Sequence, residues 1–177
     1  SRSVGTEMQQ PIKHCYWVLP GQFLAGEYPR TTEEASSRVK LRALQQAGIT
    51  VFIDLTTAHD GLLPYADLLE TATHHHFPIR DFSVPDSPDV TAAILDAIDA
   101  HLQRGEKVYL HCWGGVGRTG VIVGCWLARH GYPGEAALIR LRELWQQCPK
   151  SATRQSPETS EQESYICNWM EEAPISS

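Results

Sequence analysis

Apolar positions along this chain follow two alternating rhythms. Tyr16–Leu19 and Phe23–Gly26 are short apolar runs around Pro20-Gly21, a pattern that predicts two strands joined by a turn. Ile49–Leu55 is nearly continuous in apolar residues, as expected of a strand covered on both faces. His75–Ile79 and Lys107–Leu110 read as further strands, the second leading into His111. The segments between them carry helical spacing. Thr31 or Thr32 is placed to cap a helix running to about Ala47, closed by Gly48. Leu62–Thr73 has the same period, and Val90–Gln103 sets Ile94, Leu95, Ile98 and Leu102 on one face. Gly120–Arg129 is apolar nearly all round, the mark of a central buried helix. Pro133 or Gly134 opens another helix to about Gln147, and a last one is expected over Glu158–Met170. Strands alternating with helices predict an α/β fold, with a mostly parallel central sheet of four to five strands flanked by helices.

With 177 residues and 42% hydrophobic content, the chain can bury one substantial core. Residues 1–10 read as a flexible N-terminal tail and 11–177 as a single domain. A formal net charge of −6 argues against general binding to nucleic acid or to anionic membranes. No apolar run approaches the roughly 18 residues of a membrane span. Cysteines stand at 15, 112, 125, 148 and 167, an odd number without a C-x-x-C pair, which fits a reducing, cytoplasmic setting. His74-His75-His76 invites a metal, but neighbours on a strand alternate faces and no acidic or cysteine partner stands at ligand spacing. No metal or cofactor is therefore expected, and the histidines read as a strand edge facing solvent.

The chemistry concentrates in His111-Cys112-Trp113-Gly114-Gly115-Val116-Gly117-Arg118-Thr119, a glycine-rich loop between a strand and a helix. Cysteine attacks as the thiolate, which a helix N-terminus and nearby positive charge, here Arg118 and His111, stabilise. Glycines let backbone N–H groups turn inward into an anion-binding nest, and the helix dipole adds to it. Arg118 can grip two oxygens of an oxyanion bidentately. Thr119 is placed to hydrogen-bond the sulfur. Trp113 to Gly117 together with Arg118 would then hold a phosphoryl group for attack by Cys112. The stretch Gly115–Gly120 also fits G-x-G-x-x-G, but the chain continues helically where a dinucleotide fold needs its next strand and acidic residue. A nucleotide P-loop would need a lysine, which this loop lacks.

Breaking a phosphate ester also needs a proton donor above the loop. The Arg80–Asp89 segment offers Asp81, Asp86 and Asp89. Asp89 beside Pro88 reads as a helix cap, and Asp86-Ser87-Pro88 as turn chemistry. Asp81 directly follows a strand, on the side of the reactive loop, and is preferred, with Asp86 as the alternative. Trp113 reads equally as a pocket wall beside a substrate ring or as a core residue. Cys125, inside an apolar helix, reads as an inert core thiol rather than a redox partner of Cys112. Asp54, at a strand end, reads as structural.

The reactive stretch resembles the signature loop of cysteine-dependent phosphatases: His-Cys, five residues, Arg, then Ser or Thr. The similarity is to the dual-specificity and tyrosine phosphatases of small microbial type, and it extends to Pro78-Ile79-Arg80-Asp81, Trp17–Pro29 and Ser156–Thr159. The resemblance implies a monomeric phosphatase that hydrolyses phosphoprotein esters through a phosphocysteine. Phosphotyrosine is the first expectation, with phosphoserine and phosphothreonine allowed. It implies Cys112 as nucleophile, Arg118 as phosphate grip, Asp81 as acid, Thr119 as an aid to thiolate release and His111 in support. A C-terminal glutamine in such enzymes places the hydrolytic water, which points to Gln162, then Gln155. Phosphoinositide or RNA 5′-phosphate hydrolysis, a phosphate-binding module without turnover, and a sulfurtransferase or arsenate reductase stand as alternatives.

Overall fold

The computed structural model describes residues 9–171. Five strands, β1 (Cys15–Leu19), β2 (Phe23–Gly26), β3 (Val51–Asp54), β4 (Thr73–His76) and β5 (Val108–His111), form one sheet in the order β1-β2-β5-β3-β4. β1 and β2 are antiparallel, and every other pairing is parallel. The helices are α1 (Glu34–Gln46), α2 (Pro88–Gln103), α3 (Arg118–Arg129), α4 (Glu135–Trp145) and α5 (Ser160–Asn168).

Side-chain alternation on the central strands builds two cores. Val108 and Leu110 of β5 and Val51 and Ile53 of β3 face a large cluster with α2, α3, α4 and α5. Tyr109 and Phe52 face the other way, into a smaller cluster with Leu41 and Leu44 of α1, Tyr65 and Leu68. Covered on both sides, these strands are apolar at every position up to their last residues, Asp54 and His111. α3 is the most buried helix, with Arg118 through Leu127 all inside. Two glycines let it sit so deep. A Cβ on Gly120 would lie 2.2 Å from Ser156 Oγ, and one on Gly124 would lie 2.6 Å from Ile166 Cδ1 of α5.

Several expectations change. Leu62–Thr73 is not a helix and contains one short 3₁₀ turn, Ala66–Leu68. Pro64 interrupts the segment, and the amides of Glu70, Thr71 and Ala72 all donate to the single Gln45 Oε1 at 2.8–3.2 Å, which a helix cannot allow. The following strand is consequently Thr73–His76, not His75–Ile79. α1 is capped by neither threonine side chain in the usual way; its N-cap is Glu33, whose amide donates to Thr31 Oγ1 at 3.1 Å. At α2 the cap is Ser87, whose Oγ accepts from Val90 N, and Asp89 is a first-turn residue. α5 is shorter than expected because Thr159 caps it and Trp169 is extended. Of the expected tail over 1–10, residues 1–8 lie outside the described residues. Gln9 and Gln10 are tied down, the first accepting from the Trp17 indole at 3.2 Å and the second donating to Gln147 O at 3.0 Å.

The α3–α5 contact at Gly124 gives a direct test. Gly124→Ala should cost about 1–3 kcal/mol by overpacking, read as a lower urea midpoint, and Ile166→Val should recover part of the loss. An unchanged midpoint in Gly124→Ala would contradict the close approach.

Candidate active site

β5 ends at His111 and α3 begins at Arg118, so residues 112–117 form the loop at the carboxyl end of the central strand. Open α/β sheets place their sites at that end. Cys112 lies at the base, 3% exposed, and its Sγ accepts from Gly115 N at 3.3 Å. The loop carbonyls are tied outward one by one. Trp113 O accepts from Tyr28 N at 2.8 Å, Gly114 O from Lys150 Nζ at 2.8 Å, and Val116 O from Ser156 Oγ at 2.6 Å. With these three carbonyls bonded to neighbouring segments and Gly115 N turned toward Cys112 Sγ, the loop has the makings of an anion nest. Gly115 is required for this turn. Its φ is +76°, and a Cβ there would meet the Gly26 carbonyl carbon at 2.4 Å.

Arg118 is 1% exposed and held by two chain segments, at Asp60 and at Ile79–Asp81. Its Nη1 and Nη2 each donate to the Asp60 carboxylate at 3.0 Å, a bidentate pair. Nη1 also donates to Ile79 O at 3.0 Å, and Asp81 Oδ1 lies 3.2 Å from Nη2. Arg118 Nε is buried without a protein partner among the described residues. Burial pushes the Asp60 carboxyl up, but the Arg118 hydrogen bonds and the Thr57 amide outweigh it and hold it below the ordinary range. Asp60 is the residue that sequence reasoning missed. Its signal was present: Thr57 and Asp60 form a capping box around a short turn that Gly61 closes at φ +67°.

Asp81 does not directly follow a strand, because β4 ends at His76; it stands in the connection to α2, one-third exposed, with Oδ1 accepting from Phe82 N at 2.9 Å. Phe82 has φ +59°, the only positive value at a non-glycine among the described residues. Asp86 is exposed and makes no contact with Arg118. The structure thus brings Asp81, and not Asp86, to the arginine.

His111 is fully buried. Its Nδ1 lies 3.1 Å from Cys112 O and its Nε2 lies 2.6 Å from Tyr65 OH. A carbonyl only accepts, so Nδ1 carries the proton and Nε2 accepts from the phenol, which burial keeps protonated. Burial pushes His111 down to about 4, against a smaller opposing pull from Asp54. It is neutral near pH 7 and lends the thiol no positive charge, a correction to the sequence reading. Thr119 is also placed differently in detail: its Oγ1 is buried without a hydrogen-bond partner, so it does not bond the sulfur. Trp113 is 56% exposed, which removes its core reading.

Gln162 is fully buried and lies against the loop, 3.1 Å from where a Gly117 Cβ would be. Its Oε1 accepts from Glu158 N and Thr159 N, and its Nε2 donates to Ser83 O at 3.0 Å. It therefore links the C-terminal cap to the segment that carries Asp81. Gln155 is exposed.

A mostly parallel sheet with a cysteine–glycine–arginine loop at the end of its central strand defines a phosphatase domain of the dual-specificity and tyrosine-phosphatase class. The chain belongs to the family described as Swiss Army Knife protein, DSP-PTPase phosphatase domain, whose model matches residues 12–166. It is 34% identical over 93 residues to "Putative tyrosine phosphatase 067L" of Invertebrate iridescent virus 3, covering 50% of this chain and 38% of the viral protein. The chain thus spans well under two-thirds of that relative. Among solved structures it is similar to Tk-PTP in the active form, with TM-score 0.68, 25% identity, and 86% of this chain and 92% of that one covered. Kinase-associated phosphatase, with its catalytic-site cysteine substituted by serine, shares the fold at TM-score 0.72 and 20% identity, with 89% and 94% covered. No helix of the described residues is long and apolar enough to cross a membrane.

The buried neutral imidazole sets a pH dependence. An unfolded chain protonates His111 as pH falls through 6.5, whereas the folded chain resists until about 4. Protonation therefore favours unfolding across that window, and stability should fall by on the order of 3 kcal/mol from this residue before levelling off. Urea titrations across the window should show a shallower slope in His111→Gln. An equal slope in both proteins would place the titration elsewhere.

Proposed function

We propose that this domain is a cysteine-dependent phosphatase that hydrolyses phosphate monoesters, with protein phosphotyrosine as the leading substrate. The observation that carries this reading is the pairing of Cys112 Sγ, at the base of the amide-lined loop, with an Arg118 whose Nε–H has no protein acceptor. A phosphoryl oxygen supplies that acceptor. Asp60 and Ile79 O occupy the far side of the guanidinium and fix its plane without consuming this donor.

In the first step Cys112 Sγ attacks phosphorus, the bond to the leaving oxygen breaks, and Asp81 gives that oxygen its proton. The loop amides and Arg118 meet the charge on the equatorial oxygens, already oriented before reaction. In the second step water attacks the phosphocysteine, passing a proton to Asp81, and the S–P bond breaks to return the thiolate and release phosphate. Asp81 stands 3.2 Å from Arg118 and Asp86 does not approach it, so Asp81 is the carboxyl within reach of a phosphoryl group held there. His111 supports the nucleophile through the Cys112 carbonyl. Gln162 acts by holding the acid-bearing segment at Ser83, since its oxygen is already committed to two amides. Thr119 contributes a buried hydroxyl beside Arg118. Trp113 and Phe82, both more than half exposed and adjacent to Cys112 and Asp81, offer aromatic faces to a substrate ring, which favours phosphotyrosine.

Hydrolysis of p-nitrophenyl phosphate in mildly acidic buffer with EDTA tests the reading. Cys112→Ser should lose turnover and keep phosphate affinity, and Arg118→Ala should lose both. Asp81→Asn should lower kcat by about 10²–10⁴-fold, and less for p-nitrophenyl than for phenyl phosphate. Turnover that survives Cys112→Ser would sink the mechanism, and a drop confined to Asp86→Asn would move the acid.

A further inference from the structure

The edge strand β4 carries His74, His75 and His76, which the proposed chemistry does not use. No cluster of three or more metal-capable side chains occurs among the described residues. His75 turns to one face, bonding Thr73 Oγ1 at 2.9 Å and packing its ring on His101. His74 and His76 turn to the other and meet the segment that runs from β3 to Asp60.

His74 Nε2 lies 2.9 Å from Asp54 Oδ2, and His76 Nε2 lies 2.5 Å from Thr56 O. Carboxylate and carbonyl oxygens only accept, so both rings donate from Nε2. Asp54 Oδ1 in turn accepts from Thr56 N at 2.9 Å and Thr56 Oγ1 at 2.6 Å. Thr56 is thus clamped from both sides, its amide and hydroxyl by Asp54 and its carbonyl by His76. The next residue orients the arginine's partner: Thr57 N and Oγ1 donate to Asp60 Oδ2 at 2.7 and 3.3 Å. Asp60 then takes both terminal nitrogens of Arg118. A cavity of about 240 Å³, lined by both rings, Asp54 and Thr56–Ala58, borders the clamp. A ring removed here enlarges this open cavity and takes away one of the holds on Thr56.

We infer that His74 and His76 are positioning residues for Arg118, acting through Thr56 and Asp60; this rests on the reading of Arg118 as the phosphate grip. The physical reason is preorganisation. A guanidinium N–H meets a phosphoryl oxygen well only within a fraction of an ångström of its best position. Misplacement by about 1 Å costs on the order of 10²-fold.

The test is binding of inorganic phosphate to the full chain by titration calorimetry, with kcat and KM for p-nitrophenyl phosphate alongside. His74→Ala and His76→Ala should each weaken phosphate binding and raise KM roughly 10-fold, below the full cost of misplacement. His74→Gln and His76→Gln, whose amide nitrogen can stand in for Nε2–H, should recover most of the loss. A merely structural role would lower the melting temperature and leave phosphate affinity unchanged in the folded protein. Where an alanine variant does not fold, His→Asn at the same position serves, because its amide is too short to reach. Folded variants that bind phosphate as the parent does, while Asp60→Asn weakens it, would overturn the inference and leave the phosphatase reading standing. Unchanged phosphate binding in Asp60→Asn and Arg118→Lys as well would overturn both.

Discussion

A guanidinium cannot be taken out of water unless its charge and its donors are met, and the buried Arg118 imposes that condition on much of this fold. Its partners come from the turn after β3, from the end of the segment after β4, and from Asp81 just beyond, while Arg118 itself opens α3. Three separate stretches of chain, the turn at Asp60, the segment Ile79–Asp81 and α3 itself, therefore meet at one planar group. The cost of burial is offset by the bidentate carboxylate and the carbonyl. The one donor left over points the chemistry: it is the unsatisfied remainder of an otherwise closed set.

The reactive loop obeys a similar economy of hydrogen bonds. Three of its carbonyls are taken up by a backbone amide, a lysine and a serine from two different parts of the chain. The nest is consequently a property of the whole domain as much as of its glycines. Ser156 and Lys150 come from the region after α4, and Tyr28 from the segment after β2. Behind the loop, the Tyr65–His111–Cys112 chain fixes the base of the site with a neutral imidazole.

Much of this was legible beforehand, because it rests on local pattern. The strand–loop–helix at 107–129, the sheet class, α2 and α4 all follow from apolar periodicity and glycine placement. The positions of Cys112 and Arg118 follow from their spacing. What escaped was non-local. The Leu62–Thr73 stretch has helical spacing, yet Pro64 and the Gln45 side chain divert its backbone. Asp60 carries a readable capping box, but only the folded chain shows that its second oxygen also faces Arg118. His111 looks like a cation in sequence and is a neutral core residue in three dimensions, because burial decides its charge. Thr119 is correctly near the sulfur in sequence, but its hydroxyl bonds nothing.

Gly115 and Gly114 differ in a way that bears on how such a site can change over time. At 115 the backbone of Gly26 and Glu27 stands where any side chain would go, so that position is closed to variation. At 114 the nearest atoms to an added Cβ are 3.7 Å away, and Trp113 beside it is already in solvent. Selection for a new substrate therefore finds its freedom at 113 and 114, on the outer arc of the loop. The close approach of Gly115 to Gly26 and Glu27 lies on the inner arc, so a change at 113 or 114 can alter the rim of the loop without disturbing the base that holds Cys112.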